Sequence, residues 1–160
     1  LATKMPDIQF VWAGNFAFKG ISEGRKEIME HMDDLPDNVH FLGLVERDRM
    51  NEFFNMGDVM LQLSFEELFP MTILESMNAN IPLLLRDLPE YKPILFDYYL
   101  KANSQQTFKD ELTKLKEDAD YYAKACEGSK RGEQFYSKES ILEQWQQFYD
   151  KVATERNLLS

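Results

Sequence analysis

A single cysteine, Cys126, cannot close an internal disulfide, and no second cysteine stands near it to make a zinc or redox motif. That scarcity suits a reducing cytoplasm, where this chain is expected to work. Histidine is nearly as scarce. His31 and His40 stand apart, without carboxylate or cysteine partners at ligand spacing, so no metal site is expected and both read as surface or packing residues. Positive charge is also short: Lys and Arg total 18 against 28 Asp and Glu, a net charge of −10 with no basic cluster. Such a chain repels a polyphosphate backbone, so nucleic acid is not an expected partner. No apolar run approaches the roughly 20 residues that cross a bilayer. The longest, 81–85, is strand-sized. The opening Leu1-Ala2-Thr3-Lys4-Met5-Pro6 lacks the apolar stretch of a signal peptide and reads as the tail of a helix already under way. The chain is therefore expected to begin inside a larger protein. No Gly-x-Gly-x-x-Gly occurs, which counts against a dinucleotide site.

What is present is apolar material. Hydrophobic residues make up 44% of the 160, enough for one domain with a real core, and no internal repeat or low-complexity tract divides it. Up to about residue 97, short apolar runs alternate with stretches of helical period, the pattern of parallel strands joined by crossover helices. Strands are expected over 8–13, 39–42, 59–63 and 81–85, with a weaker one near 98–100. Helices are expected over 23–32, 47–56, where Met50, Phe53 and Phe54 share a face, and 72–78, capped by Thr72. The run 81–85 is apolar almost throughout, as befits a strand covered by helices on both faces. From Gln105 onward the pattern is helical, with Phe108, Leu112 and Leu115 on one face and a break expected over 127–132. Ser137 opens a last helix whose Ile141, Leu142, Trp145, Phe148, Tyr149 and Val152 form an apolar stripe. That stripe, Trp12 and the Met and Phe residues of 47–60 are all expected in packing. A membrane-surface helix is disfavoured for 137 onward, because its polar face carries few cations.

The stretch that carries chemistry is 64–75, between a buried strand and a helix start. Ligands of open parallel sheets bind there, beyond the carboxyl ends of the strands. The open amides and positive dipole end of the helix make a site for phosphate. Glu67 in the loop and Glu75 in the early helix are unsuited to touching phosphate. Each suits sugar hydroxyls, Glu67 on a hexose and Glu75 on a ribose, through charge-assisted hydrogen bonds. Spacing alone would also allow two ordinary solvated acids. Gly14-Asn15, after the first strand, suits a tight turn with positive φ.

A Glu, seven residues and a second Glu, after a strand with Asp58 at its head and Ser64 at its tail, resembles the signature of the family 4 retaining glycosyltransferases, which have the GT-B fold. The likeness continues in 39–45, similar to that family's strand ending Phe-Leu-Gly, in 80–87, similar to its strand entered through Gly-x-Pro, and in Phe135-Tyr136-Ser137 before the last helix. It thus covers most of the chain. More narrowly, 66–75 with 83–91 is similar to Gram-positive enzymes that build glycosyl-diacylglycerols, the lipid anchors of lipoteichoic acid.

The resemblance implies an α/β, Rossmann-like parallel sheet with helices on both faces, its first strand missing, and a helical tail. Residues 1–160 would be the nucleotide-sugar-binding C-terminal domain, without the N-terminal acceptor domain toward which the last helix crosses. It implies a donor such as UDP-glucose, bound as substrate with no cofactor. The sugar would be held by catalytic Glu67 and the backbone of Leu68, Phe69, Pro70, Met71 and Thr72, and the ribose by Glu75. The base would lie near Leu44 and Val45, and Gly14 and Asn15 would border the phosphates. The acceptor would be a lipid or glycan met mainly by the missing domain, with the full-length protein peripheral at the inner face of the membrane. Two departures stand out: Leu68-Phe69-Pro70 replaces Gly-Phe-Gly, removing an amide at Pro70, and Asn80 replaces Gly. The family's basic pair would lie upstream, leaving Lys19 a surface lysine. With the central first strand absent, the fragment should have a slot between its strands or depend on a neighbour to fill it. A GT-B epimerase and a non-catalytic Rossmann-like interaction domain are the competing expectations.

Overall fold

The computed structural model describes residues 1–15, 30 and 34–155. The helix expected over 23–32 lies outside the described residues except for Glu30, which is helical, and His31 and Lys19 lie outside them. The chain divides into two compact units, Leu1–Phe53 and Phe54–Ser160.

In the first unit, β1 (Phe10–Ala13) pairs in parallel with β2 (Val39–Gly43), in register from Phe10 opposite Val39 to Trp12 opposite Phe41, with an irregularity before Ala13. A buried polar residue holds the approach to this pair. Asn38 is 7% exposed, and its side-chain nitrogen reaches the carbonyls of Ala2, Met5 and Ile8 at 3.2, 2.9 and 2.8 Å. These bonds satisfy backbone groups of a segment with no ladder of its own. Trp12, expected in packing, is instead 56% exposed and stacks on Phe41 with ring centroids 5.7 Å apart. Val11 and Leu42 are exposed as well. His40 is exposed and bonds Gln9.

The division falls within α1 (Met50–Met56), which follows a 3-10 turn, Arg47–Arg49. Phe54 of that helix is buried as expected, but Met56 is 57% exposed. In the second unit, β3 (Met60–Gln62), β4 (Leu83–Arg86) and β5 (Leu100–Ala102) form a parallel sheet in that order. The strands of the two units thus fall in two separate sheets. β4 is central, and its consecutive Leu83, Leu84 and Leu85 are at most 1% exposed, so both faces of the sheet are covered. Successive leucines alternate faces, and only helices on each side bury them all. The core gathers Ile73 and Met77 of α2 (Met71–Asn78) with Leu83, Leu85, Leu88, Tyr91, Leu95 and Tyr99. Between the last two strands lie a 3-10 turn, Pro89–Tyr91, and the short α3 (Lys92–Leu95). β5 falls two residues later than expected. Asn80 ends α2 with φ of 57°, a left-handed conformation that Asn tolerates better than most residues, so the replacement of Gly there is accommodated.

Three helices follow: α4 (Gln105–Glu117), α5 (Ala119–Phe135) and α6 (Lys138–Glu155). Ser104 caps α4 with a reciprocal Thr107 bond, and Asp118 caps α5 by accepting from the Tyr121 amide. The expected break over 127–132 is corrected, since α5 runs straight through it. Its Gly128, Ser129 and Gly132 are buried, and they pack rather than interrupt. A Cβ on Gly128 would stand 3.1 Å from the Tyr98 carbonyl oxygen, and one on Gly132 would stand 2.6 Å from Met77 Sδ. Close approach thus outweighs the low helix propensity of glycine. The Ser129 hydroxyl donates to the Ile81 carbonyl at 2.6 Å. The stripe of α6 is corrected too: the helix buries none of its residues, and Leu142, Trp145, Phe148 and Tyr149 are more than half exposed. Their aromatic rings meet one another instead.

Candidate functional site

β3 ends at Gln62, and 63–70 carries the chain to α2. The Gln62 side-chain amide donates to Glu67 Oε1 at 2.6 Å and to Ser64 Oγ at 2.8 Å, which ties a half-buried Glu67 to the strand end. Phe69 turns inward against the core, its ring 5.6 Å from that of Tyr136, whereas Phe65 and Leu68 are 79% and 93% exposed. The loop is therefore anchored by one aromatic residue and presents two apolar ones. Arg86 closes β4 and fastens three strand ends together. Its Nε donates to the Leu63 carbonyl at 3.1 Å, its Nη1 to the Asn103 carbonyl at 3.2 Å, and its guanidinium lies 3.9 Å above the Phe65 ring.

α2 begins at Met71, with Pro70 as N-cap and no side-chain cap bond. The expected Thr72 cap is thus corrected: Thr72 lies inside the first turn, and its carbonyl accepts from Ser76 Oγ at 2.7 Å. Proline's fixed φ turns the chain into the helix one residue early. The Ile73 amide bonds back to the Pro70 carbonyl at 3.0 Å, whereas those of Met71 and Thr72 belong to the open first turn. Glu75 is exposed in the second turn. Tyr91, 0% exposed, has a hydroxyl without a hydrogen-bond partner among the described residues. Burial pushes its pKa up to about 12, and the charges of Glu67 and then Glu90 add to the rise. Gln62, Arg86 and Tyr91 escaped the sequence reading. The signal for the first two was a polar residue closing an otherwise apolar strand.

The other expected residues lie in the first unit. Gly14 takes φ of 144° and donates its amide to the Gly43 carbonyl at 2.8 Å, and Gly43 takes φ of 68°. Gly14 and Asn15 therefore leave the sheet beside Leu44 and Val45, at the carboxyl end of β1 and β2. Leu44 is 71% exposed and Val45 half-buried. Within its own unit, each group sits where ligands of parallel sheets bind. Two cavities in the second unit lie elsewhere. One, of about 300 Å³, is lined by Leu74, Asn78 and the Tyr136–Glu139 stretch among others; the second, of about 290 Å³, is lined by tyrosines 98, 99 and 121 with Arg131 among others. Neither is lined by Glu67 or Glu75.

The model of the glycosyl transferases group 1 matches residues 1–132. The chain is 36% identical over 153 residues to the alpha-galactosylglucosyldiacylglycerol synthase of Streptococcus pneumoniae, covering 96% of this chain and 41% of that protein. It is 28% identical over 117 residues to the processive diacylglycerol alpha-glucosyltransferase of Acholeplasma laidlawii, covering 72% and 34%. The chain thus spans well under half the length of these relatives. Among solved structures, Anabaena Alr3699/HepE in complex with UDP-glucose matches with a TM-score of 0.72 at 16% identity, over 93% of this chain and 42% of that one. Sucrose-phosphate synthase from Thermosynechococcus elongatus matches with a TM-score of 0.72 at 17% identity, over 92% and 39%. These two likenesses show the fold, that of GT-B C-terminal domains. The matched family model and the pneumococcal relative together show that this chain belongs to the glycosyl transferases group 1.

Proposed function

We propose that residues 1–160 are the donor-binding domain of a retaining transferase that moves a hexose, glucose, from a UDP-linked donor to a lipid acceptor. In this reading Glu67 orients the hexose through its hydroxyls and Glu75 receives the ribose. Open amides at Met71 and Thr72 face the phosphates, Leu44 and Val45 flank the base, and Gly14 and Asn15 border the diphosphate. The diphosphate departs from the face that the acceptor enters, and its developing charge is met by amides and by cations upstream of this chain. The acceptor, a diacylglycerol glycolipid, would be met by the rest of the protein at the inner face of the membrane. The two diacylglycerol-glycosylating relatives support that choice.

The observation that carries the reading is the Glu67 carboxylate, held by Gln62 at the carboxyl end of β3 directly before the open start of α2. The test uses the full-length parent with UDP-glucose and a glycolipid acceptor. Glu67→Gln should lower kcat/KM by about a hundredfold, the loss expected when a group that positions the reacting sugar is removed. The product should keep the donor's anomeric configuration, read by NMR. Unchanged turnover in that variant would defeat the assignment. The isolated 160-residue chain should bind UDP, seen as a higher melting temperature, yet show no turnover.

A further inference from the structure

The deeper feature of this loop is how its acid is held. Glu67 stands five residues after Gln62, in the loop between β3 and α2. Among the described residues, the one side-chain hydrogen bond that Glu67 receives comes from Gln62. A carboxylate only accepts, so the amide nitrogen of Gln62 must be the atom that faces it. The second amide hydrogen is engaged by Ser64 Oγ at 2.8 Å, which fixes the side-chain plane from two directions. Gln62 itself is the last residue of β3, paired in register with Leu85 of the central strand, whose side chain is 0% exposed. The donor is thus mounted on a strand paired with the buried central strand, and the acid on the loop that follows it.

We infer that Gln62 is a positioning residue: it holds the Glu67 carboxylate in the orientation that receives the donor's hexose, and acts on the sugar through Glu67 alone. This rests on the proposed role of Glu67. It adds a division of labour, in which recognition of the nucleotide is independent of Gln62 while recognition of the sugar depends on it. A glutamine that merely closed the loop would affect both alike.

The experiment compares UDP with UDP-glucose in the full-length parent. Gln62→Leu keeps the volume and removes the donor. Its Kd for UDP, by calorimetry, should stay within about twofold of wild type, while kcat/KM for UDP-glucose falls about tenfold or more, the scale of a misplaced reacting group. In a Glu67→Ala background the same substitution should change little, because the acceptor that Gln62 holds is gone. Gln62→Asn, which keeps the amide but falls one methylene short, should behave like Gln62→Leu, and it puts the same question if the leucine variant does not fold. Equal losses for UDP and UDP-glucose, or additive losses in the double variant, would overturn the inference while leaving Glu67 in its role. If Glu67→Gln alone keeps full activity, the site reading falls and this inference falls with it.

Discussion

The two units bury their apolar residues differently. In Phe54–Ser160, a central strand of three fully covered leucines meets α2 in a core that also holds Tyr91 and Tyr99. In Leu1–Phe53, the strands leave Val11, Trp12, Phe41 and Leu42 exposed, and the buried anchor is an amide side chain on three carbonyls. Among the described residues, the second unit is fastened by apolar area, whereas in the first the bonds of Asn38 join a single buried hydrophobic residue short of Phe54, Met5. Apolar burial is distributed and tolerant of small losses. A polar peg is local, and removing it leaves carbonyls unsatisfied.

The difference can be broken first at its strongest point. Leu85→Ala should destabilise by about 2–5 kcal/mol, because the cavity forms in a strand with no room to collapse. Urea unfolding followed by tyrosine and tryptophan fluorescence would measure it, and a loss under 1 kcal/mol would argue against the core as described. Asn38→Ala should cost about 1–3 kcal/mol. Its loss should be confined, with hydrogen exchange speeding up at Ala2–Lys4 and along β1 and β2 while β4 and α5 stay protected. Uniform loss of protection would mean the peg is not local.

The smallest effect concerns the buried tyrosines. Tyr91 and Tyr99 are both pushed up to about 12, first by burial and then by neighbouring acids, Glu67 for Tyr91 and Asp87 for Tyr99. A hydroxyl whose folded pKa exceeds its unfolded value of 10 adds stability that is fully present below pH 10 and lost as pH rises through 12. Melting temperature should therefore be flat in this respect near neutrality and fall between those values. Tyr91→Phe should raise stability by about 1 kcal/mol at neutral pH, since it removes a buried hydroxyl with no partner among the described residues, and it should make the alkaline fall shallower. A destabilised Phe variant would show that the hydroxyl has a partner.

Much of this was legible in the residues. The runs 8–13, 39–42, 59–63 and 81–85 each hold a strand because apolar density bounded by turn residues is a local signal, and a loop expected over 64–71, found over 63–70, followed from where a strand stops and a helix starts. Features set by tertiary contact were not legible. A Gly-Ser-Lys-Arg-Gly run reads as a break until Met77 and Tyr98 are seen pressing against its glycines. Pro70, not Thr72, opens α2, because backbone geometry at a proline outranks a hydroxyl's capping preference. The aromatic stripe of α6 was correct as a pattern, yet a pattern says which face is apolar and not whether anything in the described residues covers it. Gln62, Arg86 and Asn38 are single polar residues whose work lies in partners 2 to 36 positions away.

The small residues along α5 also have a mechanical meaning. With Gly132 against Met77 and Ser129 bonded to the Ile81 carbonyl, that helix is keyed to both sides of the bend between α2 and β4. A shift of α2, with the Glu75 it carries, would carry Met77 along the glycine face of α5, so movement at that helix is felt by α5 as well.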